Sequence, residues 1–296
     1  MNLFSKKIYF LKQKNNSPIC TLKIFDIEEE KCYKKSIFLR VISNLEGLSQ
    51  LNVNNSLYLC GINELKNENV IGSLLLKVNI EEKKTSIIFL VNSIFTHYNP
   101  SMTIWKSDLI IVVGGKDQIE CEGYIISKSK WIELPFLCED RYKCSLFSDD
   151  KNNMIYLFGG LSKIIQNNMK SILKLNLDLC EKWDIILIRE NENYLSRNSS
   201  ACFMFENDDI IYICGGCNNR NEETEFICEY NIDNRTLRKS KYNMKINCSF
   251  DLQGFGDLNK QHFVFMDNNF LVHTISRKDF KMMIIPFDQV SISEKL

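Results

Sequence analysis

The chain has 296 residues, with 37 Lys plus Arg against 37 Asp plus Glu and 45% hydrophobic residues. That composition excludes a disordered or collagen-like chain. The balanced charge removes the basic field expected of a nucleic-acid binder.

No apolar run approaches the roughly 18 residues that a membrane-spanning helix needs. Near the N-terminus only Ile8-Tyr9-Phe10-Leu11 follows Lys6 and Lys7. That run is too short for a secretory leader, so a cytoplasmic protein without a membrane partner is expected. The 12 cysteines are then expected as free thiols, and those in apolar runs, Cys60, Cys202 and Cys214, as packed like small hydrophobes. The single Cys-x-x-Cys, Cys214 to Cys217, lacks the second ligand pair of a structural zinc site, so no metal and no cofactor is expected. His97, His262 and His273 read as packed or surface imidazoles. No nucleophile elbow, phosphate-cradling glycine loop or zinc-protease motif occurs, so no catalytic residue is assigned.

In chain order, short apolar runs recur. Ile8-Tyr9-Phe10-Leu11 comes first and Leu57-Tyr58-Leu59-Cys60-Gly61 second. Three stronger copies end in glycine pairs: Ile110 to Gly114-Gly115, Ile155 to Gly159-Gly160 and Ile211 to Gly215-Gly216. His262-Phe263-Val264-Phe265-Met266 is a last copy without glycine. The first glycines of the three pairs are 45 and 56 residues apart. Such β-branched and aromatic runs read as buried strands, and glycine at their ends marks a sharp bend or close backbone approach. Each run is followed by an alternating strand, a charged hairpin and then a bulky position, filled in turn by Cys32, Thr85, Trp131, Trp183, Leu237 and Phe280. Further strands are predicted over 141–147 and 199–205. A unit of about 50 residues with four short strands and no helix is a propeller blade.

The glycine pair, the Tyr-containing strand and a Trp followed by a short apolar strand resemble the Kelch repeat. Trp131-Ile132-Glu133-Leu134-Pro135-Phe136-Leu137, then Arg141, then Ile155 to Gly160, carry the likeness best, and it is strongest over 97–247. The resemblance implies an all-β, six-bladed Kelch-type β-propeller in one domain spanning 1–296. The expected blades are about 1–40 with 287–296, then 41–92, 93–137, 138–190, 194–244 and 245–286. The strand around Val290 and Ile292 is expected to join the first blade and close the ring, hiding sheet edges. Trp183-Asp184 is the sole Trp-Asp pair and no Gly-His precedes it, which argues against a WD40 repeat.

In such a blade, loops after strands two and four share one face. Those at 62–70, 116–120, 135–140, 161–170, 189–195 and 217–225 are predicted to be long, whereas 148–153 and 233–235 on the other face are tight. Binding residues favour variable loops on a rigid scaffold, so the long-loop face is the expected partner surface. Its candidates are Arg141, Tyr142, Arg189, Glu192, Tyr194, Arg197, Arg220, Glu222 and Glu223, since Arg and Tyr are enriched in binding hot spots. Arg141 and Arg197 also precede a first strand, where Kelch blades often keep an arginine within the ring. Gly114, Gly115, Gly159, Gly160, Gly215, Gly216, Trp131 and Trp183 are expected to be structural. The resemblance implies a non-catalytic scaffold for a protein partner. Its alternatives are a substrate-recruiting ubiquitin-ligase subunit lacking its own adaptor domain and a propeller enzyme acting on sugars.

Overall fold

The computed structural model describes residues 7–13, 19–26, 31–38, 45–54, 56–62, 72–80, 85–188, 192–205, 208–248, 256–258, 262–266, 272–276 and 282–285. Among these there is no α-helix, and the strands group by chain order into consecutive antiparallel sheets. The first holds three strands: β1 (Lys7–Gln13), β2 (Ile19–Asp26) and β3 (Lys31–Phe38). The second holds β4 (Leu48–Val53), β5 (Ser56–Gly61), β6 (Leu74–Ile80) and β7 (Thr85–Phe89). The third holds β8 (Ser101–Trp105), β9 (Leu109–Gly115), β10 (Gln118–Ile125) and β11 (Lys130–Leu134). In the fourth, β12 (Ser145–Asp149) and β13 (Met154–Phe158) precede a small hairpin, β14 (Leu161–Ser162) with β15 (Asn167–Asn168). The sheet then resumes with β16 (Ile172–Asn176) and β17 (Trp183–Ile186). The fifth holds β18 (Ala201–Phe203), β19 (Ile210–Cys214), β20 (Thr224–Asn231) and β21 (Thr236–Cys248). The sixth holds β22 (Gly256–Leu258), β23 (His262–Met266), β24 (Val272–Ser276) and β25 (Met282–Ile285).

The core lies between successive sheets. Residues of the first and second sheets share one apolar cluster, those of the second and third another, and so on to the fifth and sixth. Adjacent sheets meet mainly through their first strands, β4 on β8, β8 on β12 and β12 on β18. The sheets are arranged as a β-propeller, with five four-stranded blades and a three-stranded sheet at the start. The glycine runs are the second strands, buried along their length because both faces are covered by neighbouring sheets.

The three-stranded first sheet matches the three strands expected from its own segment. The closing strand expected over 287–296, with Val290 and Ile292, lies outside the described residues, as does Phe280. The edge of β1 that faces the second sheet is satisfied by side chains instead. The Asn52 carboxamide accepts from the Tyr9 N–H and donates to the Tyr9 carbonyl, both at 2.9 Å. Gln50 does the same to Leu11, also at 2.9 Å both ways. Each carboxamide thus stands in for one peptide of a neighbouring strand and pairs backbone groups that burial would otherwise leave costly.

The sequence-based loop at 116–120 proves to be a tight hairpin. Lys116 and Asp117 alone turn the chain and β10 begins at Gln118, with Gly115 at φ 145° and Asp117 at φ 65°. The 161–170 loop contains its own hairpin, β14–β15.

Candidate functional site

From the second blade onward, the described seams are closed by a repeated set of hydrogen bonds, which fixes where the loop face sits. Ser49, Ser101 and Ser145 occupy matching places on three first strands, opposite Cys60, Val113 and Phe158. Their hydroxyls donate to the carbonyls of Pro100, Cys144 and Ser200 of the following blade. The indoles of Trp131 and Trp183 reach the other way and donate to the Val91 and Pro135 carbonyls of the preceding blade, each at 2.8 Å. The second-glycine position then ties forward: the N–H groups of Ile62, Gly115, Gly160 and Gly216 donate to the carbonyls of His97, Arg141, Arg197 and Cys248 at 2.7–2.9 Å.

Arg141 and Arg197 belong to these seams. Arg141 is 0% and Arg197 2% exposed, so their side chains lie within the ring, as the Kelch resemblance allowed, and not on the partner surface. Arg141 donates to the Gly159 carbonyl and to Ser171, and pairs with Glu139. Arg197 donates to the carbonyls of Tyr194, Gly215 and Phe226 and to the Cys228 sulfur, and lies 4.2 Å from the Phe226 ring centre. Desolvation by burial, first, lowers its affinity for its proton. A buried cation is costly unless its donors are satisfied; carbonyl oxygens do most of that work here, with the Arg141 Nε–H left without a partner.

His97 fills the same place in the third blade. Its Nδ1 lies 2.7 Å from the Gly114 carbonyl and its Nε2 2.8 Å from Glu122 Oε1. The residues two places on, Asn99, Lys143 and Ser199, share left-handed backbone (φ 53–54°) with Gly47 at 83°. The Asn99 N–H reaches the Gly47 carbonyl and the Ser199 N–H that of Lys143, both at 2.9 Å.

Above these seams, the fourth and fifth blades share a polar platform. Asp140, 1% exposed, accepts from Ser162 Oγ and from the Lys163 N–H, which anchors the start of the β14–β15 hairpin. Lys163 also pairs with Asp117 on the third blade. At the other end of the hairpin Asn168 is 4% exposed. Its N–H donates to Asn219 Oδ1 at 2.8 Å, its Nδ2 to the Ser196 and Cys217 carbonyls, and its Oδ1 accepts from Asn198 Nδ2 at 3.0 Å. With both ends of the hairpin held, its tip carries Ile164 and Ile165, 77% and 54% exposed. Beside it Asn218 Oδ1 accepts the N–H groups of Arg220 and Glu222, a local Asx-type turn that displays both side chains to solvent.

The other sequence candidates fall as follows. Tyr142 is half-buried and its backbone bridges Leu161. Tyr194 lies in a single 3-10 turn, Glu192–Leu195, its ring 5.9 Å from Phe226. Glu223 is half-buried and bridges Cys217. Arg189 and the side chain of Glu192 lie outside the described residues. The platform therefore gathers Tyr142, Arg220, Glu222 and Glu223, and adds Ile164, Ile165, Asn168 and Asn219, which the sequence did not single out. A polar run such as Gln166-Asn167-Asn168 carries no periodicity that would separate a buried Asn from solvated ones. His97 was detectable by spacing: it precedes Gly114 by 17 residues, as Arg141 and Arg197 precede their glycines by 18.

All 12 cysteines are free, and among the described residues no three His, Cys, Asp or Glu side chains form a metal-binding group. No helix among them is long and apolar enough to cross a membrane. No family model matches the chain, and no curated protein matches it.

Proposed function

We propose that the protein is a non-catalytic scaffold, a six-bladed Kelch-type propeller that holds a protein partner on the loop face of its fourth and fifth blades. One observation carries this reading: an apolar tip, Ile164 and Ile165, stands in solvent on a hairpin whose base is fixed by buried Asp140 and Asn168. A rigid exposed apolar side chain loses little entropy on docking and gains from burial. Arg220 and Glu222 on the adjoining turn supply the polar rim that such contacts usually have. In the Kelch reading the first sheet is the sixth blade's equal, completed by the strand of 287–296. Twelve free thiols suit a reducing, cytoplasmic setting.

The test is capture of partners from lysate on the tagged chain and on an Ile164→Asp, Ile165→Asp variant, read by mass spectrometry. The variant should keep the wild-type Tm and lose a specific set of proteins. An identical set on both would overturn the reading. Ligase subunits within that set would make the scaffold a substrate recruiter that borrows its adaptor.

A further inference from the structure

The outermost strand of the fifth sheet, β21, is paired on one side to β20, and no other described strand pairs with its outer side. From Arg235, in the turn before it, to Lys241 the chain reads Arg-Thr-Leu-Arg-Lys-Ser-Lys, four cations without an acid in a protein of zero net charge. All four cations are exposed, the Arg238 side chain to 70%. The other outer strands differ. β7 and β25 have no charged residue, β11 has Lys130 and Glu133, and β17 has only Asp184. β3 has Lys31, Lys34 and Lys35 but follows Glu28-Glu29-Glu30. Lysine on a sheet edge often serves to block pairing with other chains. β21 has less need of that, because its ladder is already interrupted. Between the pairs Cys228–Lys239 and Phe226–Asn243, the three residues Ser240, Lys241 and Tyr242 face Ile227 alone. A bulge of that kind bends the strand away from a regular edge.

Three of the cations are propped in place. Arg238 Nε and Nη2 each lie 2.7 Å from Glu229 Oε2, and Glu229 Oε1 accepts from Ser240 Oγ at 2.6 Å. Lys239 Nζ lies 5.3 Å from the centre of the Phe226 ring and Lys241 Nζ 5.0 Å from that of Tyr242. Side chains already held lose little entropy when they bind. Glu229 balances one cation, and among the described residues no carboxylate pairs with Arg235, Lys239 or Lys241. Side chains alternate along a strand, so Arg238 and Lys239 lie on opposite faces of the sheet. A ligand on either face would reach one of them, whereas a chain running along the edge reaches both. The rings beside them are already covered, Phe226 by Arg197 and Lys239 and Tyr242 by Lys241. They offer no open platform for stacking bases, which favours carboxylates over single-stranded nucleic acid.

We propose that the outer edge of β21 binds an extended, Asp- and Glu-rich segment of a protein partner, held by Arg235, Arg238, Lys239 and Lys241. The strip shares no residue with the Ile164–Ile165 hairpin and stands whether or not that hairpin docks a partner. Its complementarity is electrostatic, so it sets the rate and selectivity of encounter more than it adds apolar contact.

Titration of the full chain into a fluorescein-labelled oligoglutamate peptide, read by anisotropy, tests this. An ionic strength of about 0.1 M confines charge effects to about 10 Å. Binding should be at least about tenfold tighter than to the matching oligoglutamine peptide, and it should weaken as salt is added. Lys239→Glu with Lys241→Glu should lower the affinity about tenfold or more, because two attractions become repulsions. Lys128→Glu with Lys130→Glu makes the same change of charge on the exposed hairpin that joins β10 to β11, and should leave the affinity within about twofold. Equal losses in the two variants, or equal binding of the two peptides, would overturn the proposal. So would tighter binding of oligothymidylate or of phosphatidylserine vesicles that the β21 variant abolishes. A measurement on the wild type covers a variant that fails to fold: carbodiimide coupling of the oligoglutamate peptide to lysine amines, mapped by mass spectrometry. Crosslinks at Lys239 or Lys241 support the strip, and a map without either sinks it.

Discussion

Cys20, Cys121 and Cys144 lie among apolar side chains, and burial pushes their thiols up to about 11, 12 and 12 from an ordinary 9.0. A folded thiol that keeps its proton when the unfolded chain has lost it makes folding pH-dependent. Its contribution is full below about pH 9 and is lost as pH rises through 9 toward 11. The urea midpoint should therefore drop between pH 8 and pH 10. In the native protein at pH 8, Cys138, the exposed cysteine, should be alkylated first, with the buried ones modified only on unfolding. Peptide mapping after a short iodoacetamide pulse checks the order. At this scale the sequence was a good guide to which thiols pack and a poor one to which polar side chains do. Arg141 and Arg197 carry long charged groups that the sequence left open between the partner surface and the interior of the ring, and both are spent inside the seams. Nothing in a single stretch of chain announces that a carbonyl from the Gly159 or Gly215 bend will arrive to receive them.

Blades are joined by a few side chains that recur from seam to seam. Trp183 fills its seam with an indole and donates to the Pro135 carbonyl. Trp183→Phe keeps most of the bulk and removes the donor, so thermal unfolding should show a loss of about 1 kcal/mol. Gly159 has φ 56°, and a methyl group there would overlap the Arg197 carbonyl and lie 2.9 Å from that of Leu195. Neither backbone atom can step aside without moving the next blade. Gly159→Ala should cost about 2–3 kcal/mol by the same measurement, since left-handed strain and a backbone clash add. The glycine pairs and tryptophans were legible as a repeat because they recur in phase. The serine hydroxyls of Ser49, Ser101 and Ser145 were not, because a serine at the start of a strand reads as any polar residue until the next blade's carbonyl lies beside it.

Across the whole molecule the sheets follow one another in chain order, each packed on the next, so closure of a ring would depend on how the first and last sheets meet. Deleting 287–296 should lower the Tm by several degrees if that strand completes the first sheet, and an unchanged Tm would refute the closure. Gln50→Ala with Asn52→Ala removes four hydrogen bonds from the edge of β1 and should destabilise the chain by about 2–4 kcal/mol in urea unfolding. The sequence by itself determined the all-β class, the blade period and the second strands, because alternation, apolar runs and glycine bends act within a few residues of one another. Only the tertiary structure decided that Arg141 and Arg197 point inward, that 116–120 is a tight turn, that carboxamides cap β1, and that the fourth and fifth blades share one platform. Each of those depends on an atom supplied by a segment tens of residues away, whose arrival local pattern does not encode.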